Sequence, residues 1–116
     1  MPPAPLNGPL SAAAFHILVV LAAGKRHGYG IMKEVAAATS DAVKLNPGTL
    51  YTTIKRLLED EFIQETPAPS DADSSDERRR YYSITPSGRR AAEAELERLH
   101  ALVHCAAATL RTKPVS

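Results

Sequence analysis

Three helix-length segments, two short strand-like runs joined by a polar loop, and a closing stretch whose apolar residues recur at intervals of 3 and 4 predict a mainly α (α+β) fold. The order helix, helix, helix, hairpin, long helix is that of a winged helix-turn-helix with a two-stranded wing and a long C-terminal dimerisation helix. The 116 residues suffice for one domain and one additional element. Hydrophobic residues make up 44% and aromatic residues 5%, with no Trp, so the expected core is Leu, Ile, Val and Ala. The expected division is a flexible Pro-rich tail over 1–9, a winged helix-turn-helix domain over 10–86, a dimerisation helix over 87–112 and a short tail over 113–116.

Residues 1–9 hold four prolines and a glycine, which disfavour regular structure. Ser11 can cap a first helix over 12–23, with Phe15, Leu18, Val19 and Ala22 inward and Gly24 as its stop. GKRHGYG reads as a turn in which His27 supports the start of the next helix. That second helix runs from Gly30 to Thr39 with Ile31, Val35 and Ala38 inward. TSDAVKL is a connection with a short extended piece at Val43–Leu45.

Asn46 is a good N-cap for the third helix, and Pro47 suits its first position. At 100° per residue, Leu50, Ile54, Leu57 and, at the edge, Leu58 form one apolar face. Gly48, Thr52, Lys55 and Arg56 fall on the opposite side, with Tyr51 on the flank. Glu59, Asp60 and Glu61 close the helix and oppose its dipole. Phe62–Thr66 reads as a strand, PAPSDADSSDE as a polar loop, and RRRYYSIT as a second strand. By alternation Arg80, Tyr82 and Ile84 face one way, Tyr81 and Ser83 the other. Thr85 or Ser87 caps a final helix to about Thr112, roughly 35–40 Å long. Leu96, Leu99, Val103, Ala106 and Leu110 form a heptad seam on it. A domain of about 80 residues cannot bury so long a stripe, which favours a homodimer.

The formal net charge is +1 and the isoelectric point about 7.9, so total charge says little about a polyanionic partner. Placement says more. Cations lie in the middle of the third helix and at Arg78, Arg79 and Arg80. The acids gather in the wing loop (Asp71, Asp73, Asp76, Glu77), at the end of the third helix and on the last helix. Taken alone, the helix reads more readily as a solvated amphipathic face, and the arginines read equally as a charge-protected edge strand. Together they fit a duplex, with the third helix entering the major groove by its N-terminal half. The expected interface is Asn46, Gly48, Thr49, Tyr51, Thr52, Lys55 and Arg56 with Arg78, Arg79 and Arg80. Gly48 lets the backbone approach, and the amides at the helix start attract phosphate. Thr49, Thr52 and Lys55 reach towards base edges, while the Tyr51 hydroxyl and the arginines meet phosphates.

No Gly-rich phosphate loop, nucleophile–base pair or acid pair is present, so neither an enzyme nor a cofactor is expected. His100 and His104 stand four apart with Cys105 adjacent, but two ligands do not make a metal site, and none is expected. A lone cysteine fits a reducing compartment. MPPAPLNGPL does not read as a secretory signal, and the apolar run from Phe15 to Ala23 is too short to span a bilayer. The expectation is a cytoplasmic protein with no membrane partner.

HGYGI at 27–31, GTLYTTIKRL at 48–57 and RRRYYSIT from Arg78, with Gly88 beyond it, resemble the PadR-like family of bacterial transcriptional regulators. The similarity covers roughly residues 10–112 and looks like the short form with a single C-terminal dimerisation helix. The resemblance implies a homodimeric winged-helix protein on a near-palindromic operator, usually a repressor, often released by a small hydrophobic or aromatic effector. It carries DNA-facing roles onto Tyr29, Gly48, Thr49, Tyr51, Lys55 and the wing arginines, and core roles onto Leu50, Ile54, Leu57, Tyr82 and Ile84. The family commonly has glycine after the recognition helix, where this chain has Glu61. A side chain disfavours positive φ, which predicts a different helix end and an altered wing angle. The acidic loop predicts that the base of the wing, not its tip, meets DNA. Near-neutral charge and that loop leave an alternative: a winged-helix protein–protein interaction module without specific DNA binding.

Overall fold

The structure is a computed structural model and describes residues 9–70 and 79–112. Arg78, the wing-loop acids Asp71, Asp73, Asp76 and Glu77, residues 1–8 of the tail expected over 1–9, and the tail expected over 113–116 lie outside the described residues.

Ser11 opens α1 (Ala12–Ala23) by accepting the Ala14 N–H at 3.1 Å. The helix buries Ala14, Ile17, Leu18 and Leu21. The expected face of Phe15, Leu18, Val19 and Ala22 is therefore wrong except at Leu18, and Val19 is half exposed. Residues 12–23 are apolar nearly all round, so their periodicity carries no phase. The neighbours choose the buried side: α1 touches every later helix and the central strand of the sheet.

Residues 24–30, expected as a turn, contain a strand, β1 (Arg26–His27), too short to show alternation. The second helix, α2 (Gly28–Ala38), starts two residues earlier than the expected Gly30. The reason is local: the His27 side chain is its N-cap, with Nδ1 accepting the Gly30 N–H at 2.9 Å. Ile31 and Val35 are buried as expected, while Ala38 at the helix end is exposed. Past the helix, Asp41 N donates to Ala36 O at 2.8 Å and Ser40 N to Ala37 O at 3.3 Å, a Schellman turn. Val43 and Leu45 pack against the core but form no strand.

The third helix, α3 (Pro47–Glu59), matches its sequence signals. Asn46 Oδ1 accepts the Thr49 N–H at 2.8 Å, and Leu50, Ile54 and Leu57 are buried. Its end departs from expectation. Glu61 adopts φ 61° where glycine would be preferred. Phe62 N donates to Leu57 O at 2.9 Å and Glu61 N to Leu58 O at 3.1 Å, so the left-handed Schellman ending is kept despite the side chain. Tertiary contacts hold it. Thr85 Oγ1 donates to Glu61 O at 2.6 Å, Thr85 N donates to Phe62 O at 3.0 Å, and Phe62 is buried in the core. Gly88 lies so close that a Cβ there would sit 2.0 Å from Phe62 O.

β2 (Ile63–Thr66) and β3 (Tyr81–Ile84) form the expected two-stranded wing, with Ile63 opposite Ile84 and Thr66 opposite Tyr81. β1 adds a third, unexpected strand, giving the order β1-β3-β2. Tyr82 and Ile84 face the core as alternation predicts. Tyr81, on the other face, is buried too, because β1 brings the His27 ring edge-on to it at 5.2 Å.

The last helix, α4 (Pro86–Leu110), is capped by Thr85, whose Oγ1 accepts the Gly88 N–H at 3.0 Å. Ala91 and Glu95 anchor its first half. Buried Glu95 accepts two hydrogen bonds from Arg98 and one from Leu10 N, tying the start of the described chain to α4. The Arg98 bonds, helped by the Leu10 amide and opposed by burial, hold the Glu95 carboxyl below the usual range for glutamate. Among the described residues no helix is long and apolar enough to cross a membrane.

Candidate nucleic-acid interface

The outward side of α3 splits into two flanks. Tyr51, Thr52, Lys55 and Arg56 are all exposed, as are Asn46, Gly48 and Thr49 at the helix start. Thr52 and Arg56 line a groove of about 690 Å³ between α3 and the start of α1, whose apolar floor includes Leu10, Leu57 and Phe62. Tyr51 turns the other way. It borders a cleft of about 340 Å³ shared with Tyr29 of α2 and with Arg79 and Arg80 at the base of the wing. Lys55 lies one helical turn after Tyr51 on that flank. Thus Tyr29, Tyr51, Arg79 and Arg80, from three separate elements, meet at one place, whereas Thr52 and Arg56 face a different hollow.

Contacts in the cleft are aromatic and cationic. Arg79 stands over the Tyr29 ring with its guanidinium carbon 5.4 Å from the centroid, and Lys33 Nζ is 5.5 Å from the same centroid. The His27 ring stacks on Tyr29 at 6.4 Å with 14° between planes. Arg79 Nη1 lies 3.3 Å from His27 Nε2 and 3.4 Å from Nδ1. A Cβ on Gly28 would come within 2.6 Å of the Tyr51 hydroxyl, so the absence of a side chain there lets α3 seat its tyrosine against the start of α2. Tyr82 lines the floor. Burial, and after it the charge of Glu65, raise its hydroxyl above the ordinary tyrosine range, so it remains a neutral donor at neutral pH. Arg80 and Glu65 pair across the wing at 3.9 Å with both side chains more than half exposed, a contact of little energetic weight.

Sequence reading missed two participants. Lys33 joins Tyr29 through the i, i+4 spacing on α2, a signal present in YGIMK. The sequence marks His27 as a helix support only, and its contacts with Tyr29, Tyr81 and Arg79 have no local signature.

Along α4 much of the expected seam is uncovered among the described residues. Leu96, Val103 and Leu110 are 54%, 63% and 81% exposed, while Leu99 and Ala106 are half-buried. Leu102, off the seam, is exposed as well. Among the described residues no group of three or more His, Cys, Asp or Glu side chains converges as a metal site.

The family model for transcriptional regulators of the PadR-like family matches residues 17–94. No curated protein matches the chain. Several solved structures share its fold. A transcriptional regulator from Clostridium thermocellum is 24% identical, with 83% of this chain and 93% of that one covered and a TM-score of 0.69. A PadR family transcription regulator from Clostridium difficile is 22% identical, with coverage of 88% and 100% and a TM-score of 0.70. A PadR-like transcriptional regulator from Bacillus cereus is 20% identical, with coverage of 86% and 92% and a TM-score of 0.72.

Proposed function

The chain belongs to the PadR-like family of transcriptional regulators and is a DNA-binding regulator of transcription; we propose that it acts as a homodimeric, sequence-specific repressor. The observation that carries this reading is the shared cleft: Tyr51 of α3, Tyr29 of α2 and Arg79 and Arg80 of the wing line one surface. A duplex with α3 in its major groove presents phosphates to that cleft. In this reading Gly48, Thr49 and Lys55 meet the groove, Asn46 orders the helix start, and Tyr29, Tyr51, Arg79 and Arg80 grip the backbone. Thr52 and Arg56 lie on the far flank and serve the opposite strand.

The exposed apolar seam of α4 supports the homodimer, since Leu96, Val103 and Leu110 have no cover among the described residues. Two-fold symmetry then sets two α3 helices about one duplex turn apart, roughly 34–36 Å, on a near-palindromic operator. Release by a small hydrophobic or aromatic effector follows family behaviour and needs an apolar space between the subunits.

The test is a mobility-shift titration against a duplex selected from genomic fragments. Lys55→Ala should weaken binding by about 1–3 kcal/mol and relax base preference at one position. Arg79→Ala should weaken all sequences alike and lower the salt slope by about one. Wild-type protein that selects no fragment above background would overturn the reading in favour of a protein–protein module.

A further inference from the structure

His27 occupies more positions in the cleft than a helix cap requires. Its Nδ1 is committed to the Gly30 N–H at 2.9 Å, which needs a bare lone pair there. In the neutral ring the proton therefore sits on Nε2, and neither nitrogen is left to accept from Arg79, a pure donor. Arg79 Nη1 nonetheless lies nearly equidistant from both nitrogens, at 3.3 and 3.4 Å. Equal distances are those of a guanidinium packed on the ring, not of one aligned with a single lone pair. The same imidazole stacks on Tyr29 and meets Tyr81 edge-on. The Arg79 guanidinium also covers the Tyr29 ring. Three side chains from β1, α2 and the wing thus form one stack at the mouth of the cleft that Tyr51 closes from α3.

We propose that His27 is a positioning residue of the DNA interface: its ring holds Arg79 and Tyr29 together so that both engage the same backbone phosphate. This rests on the DNA-binding reading above. A long arginine side chain free to sample rotamers loses much of that freedom on gripping a phosphate, and a side chain already stacked loses less. The imidazole supplies the surface for that stacking, and its place is secured by the cap it makes to α2. His27 itself need not touch DNA.

The test separates the cap from the ring. His27→Asn keeps a side-chain oxygen able to accept the Gly30 N–H and removes the stacking surface. Full-length protein is titrated with the selected duplex at several salt concentrations, beside Arg79→Ala and the double variant. The expected result for His27→Asn is a folded protein whose melting temperature falls only by the loss of the ring's cover on Tyr81, a roughly three- to tenfold loss of affinity, and a salt slope lowered by up to about one. The double variant should lose clearly less than the sum of the two single losses, because the ring acts largely through that arginine. His27→Ser, which also caps, gives the same comparison if the asparagine variant folds poorly. Wild-type affinity and slope in a folded ring-less variant, or losses that add in the double variant, would overturn the proposal. If the wild type binds and Lys55→Ala weakens it while His27→Asn does not, the DNA-binding reading stands and only this inference falls.

Discussion

Glu61→Gly should stabilise the protein, and the size of the gain follows from one backbone angle. At φ 61° a residue with a Cβ is in the left-handed region, which costs about 1–2 kcal/mol relative to glycine. Glycine gives back about 0.4–1 kcal/mol through its greater freedom in the unfolded chain. Removing a carboxylate just beyond the C-terminus of α3 adds about 0.3–0.5 kcal/mol by relieving its clash with the helix dipole. The net gain is about 1 kcal/mol, or a melting temperature higher by about 4–8 °C. The contacts that shape the turn survive, because Thr85 bonds the backbone carbonyls of residues 61 and 62, not the glutamate side chain. Urea unfolding followed by circular dichroism at one protein concentration measures it, with a higher midpoint and an unchanged m-value expected. Glu61→Ala is the control: it removes the charge and keeps the Cβ, so it should gain only the dipole part. An alanine variant as stable as the glycine variant, or a glycine variant less stable than wild type, would refute the strain argument.

Gly88→Ala should destabilise by about 3 kcal/mol in the same urea assay, since its Cβ would fall 2.0 Å from a backbone oxygen in the turn that joins α3 to the wing. Glu95 sets an acid dependence. Its folded pKa lies below the ordinary 4.5, so its contribution is complete above that value and is lost as pH falls through the folded pKa. Stability measured from about pH 5 to about pH 3 should therefore fall more steeply for wild type than for Glu95→Gln, and parallel curves would contradict the assignment. Val103→Asp, in the middle of the exposed seam, should shift sedimentation towards a single chain while leaving the helical content of the domain intact, and an unchanged sedimentation profile would place the contact elsewhere.

Much of the interface is readable from short stretches. Asn46 and Pro47 announce the start of α3, and the spacing of Leu50, Ile54 and Leu57 sets its inward face, which leaves Tyr51 and Lys55 outside. The cap, read from the sequence as Thr85 or Ser87 and found at Thr85, and the apolar spacing from Leu96 to Leu110 are equally local. Each of these signals is complete within a few residues, because capping and amphipathic burial act over one or two helical turns. The phase of α1 was not readable, because an apolar circumference leaves the choice of buried side to neighbours.

Three further features exist only once the chain has closed on itself. β1 is two residues long and is a strand solely because β3 lies beside it. Glu61 takes a left-handed angle against its own preference because Thr85 and buried Phe62 grip the turn. His27 and Arg79 stand 52 positions apart in the chain yet share one stack in space. Contacts of that kind join segments with no sequence relation, so no window along the chain contains them. Residue pattern was enough for the existence of the helices and for the outward face of α3. Long-range packing chose which of those faces meet, and with them the shape of the surface offered to DNA.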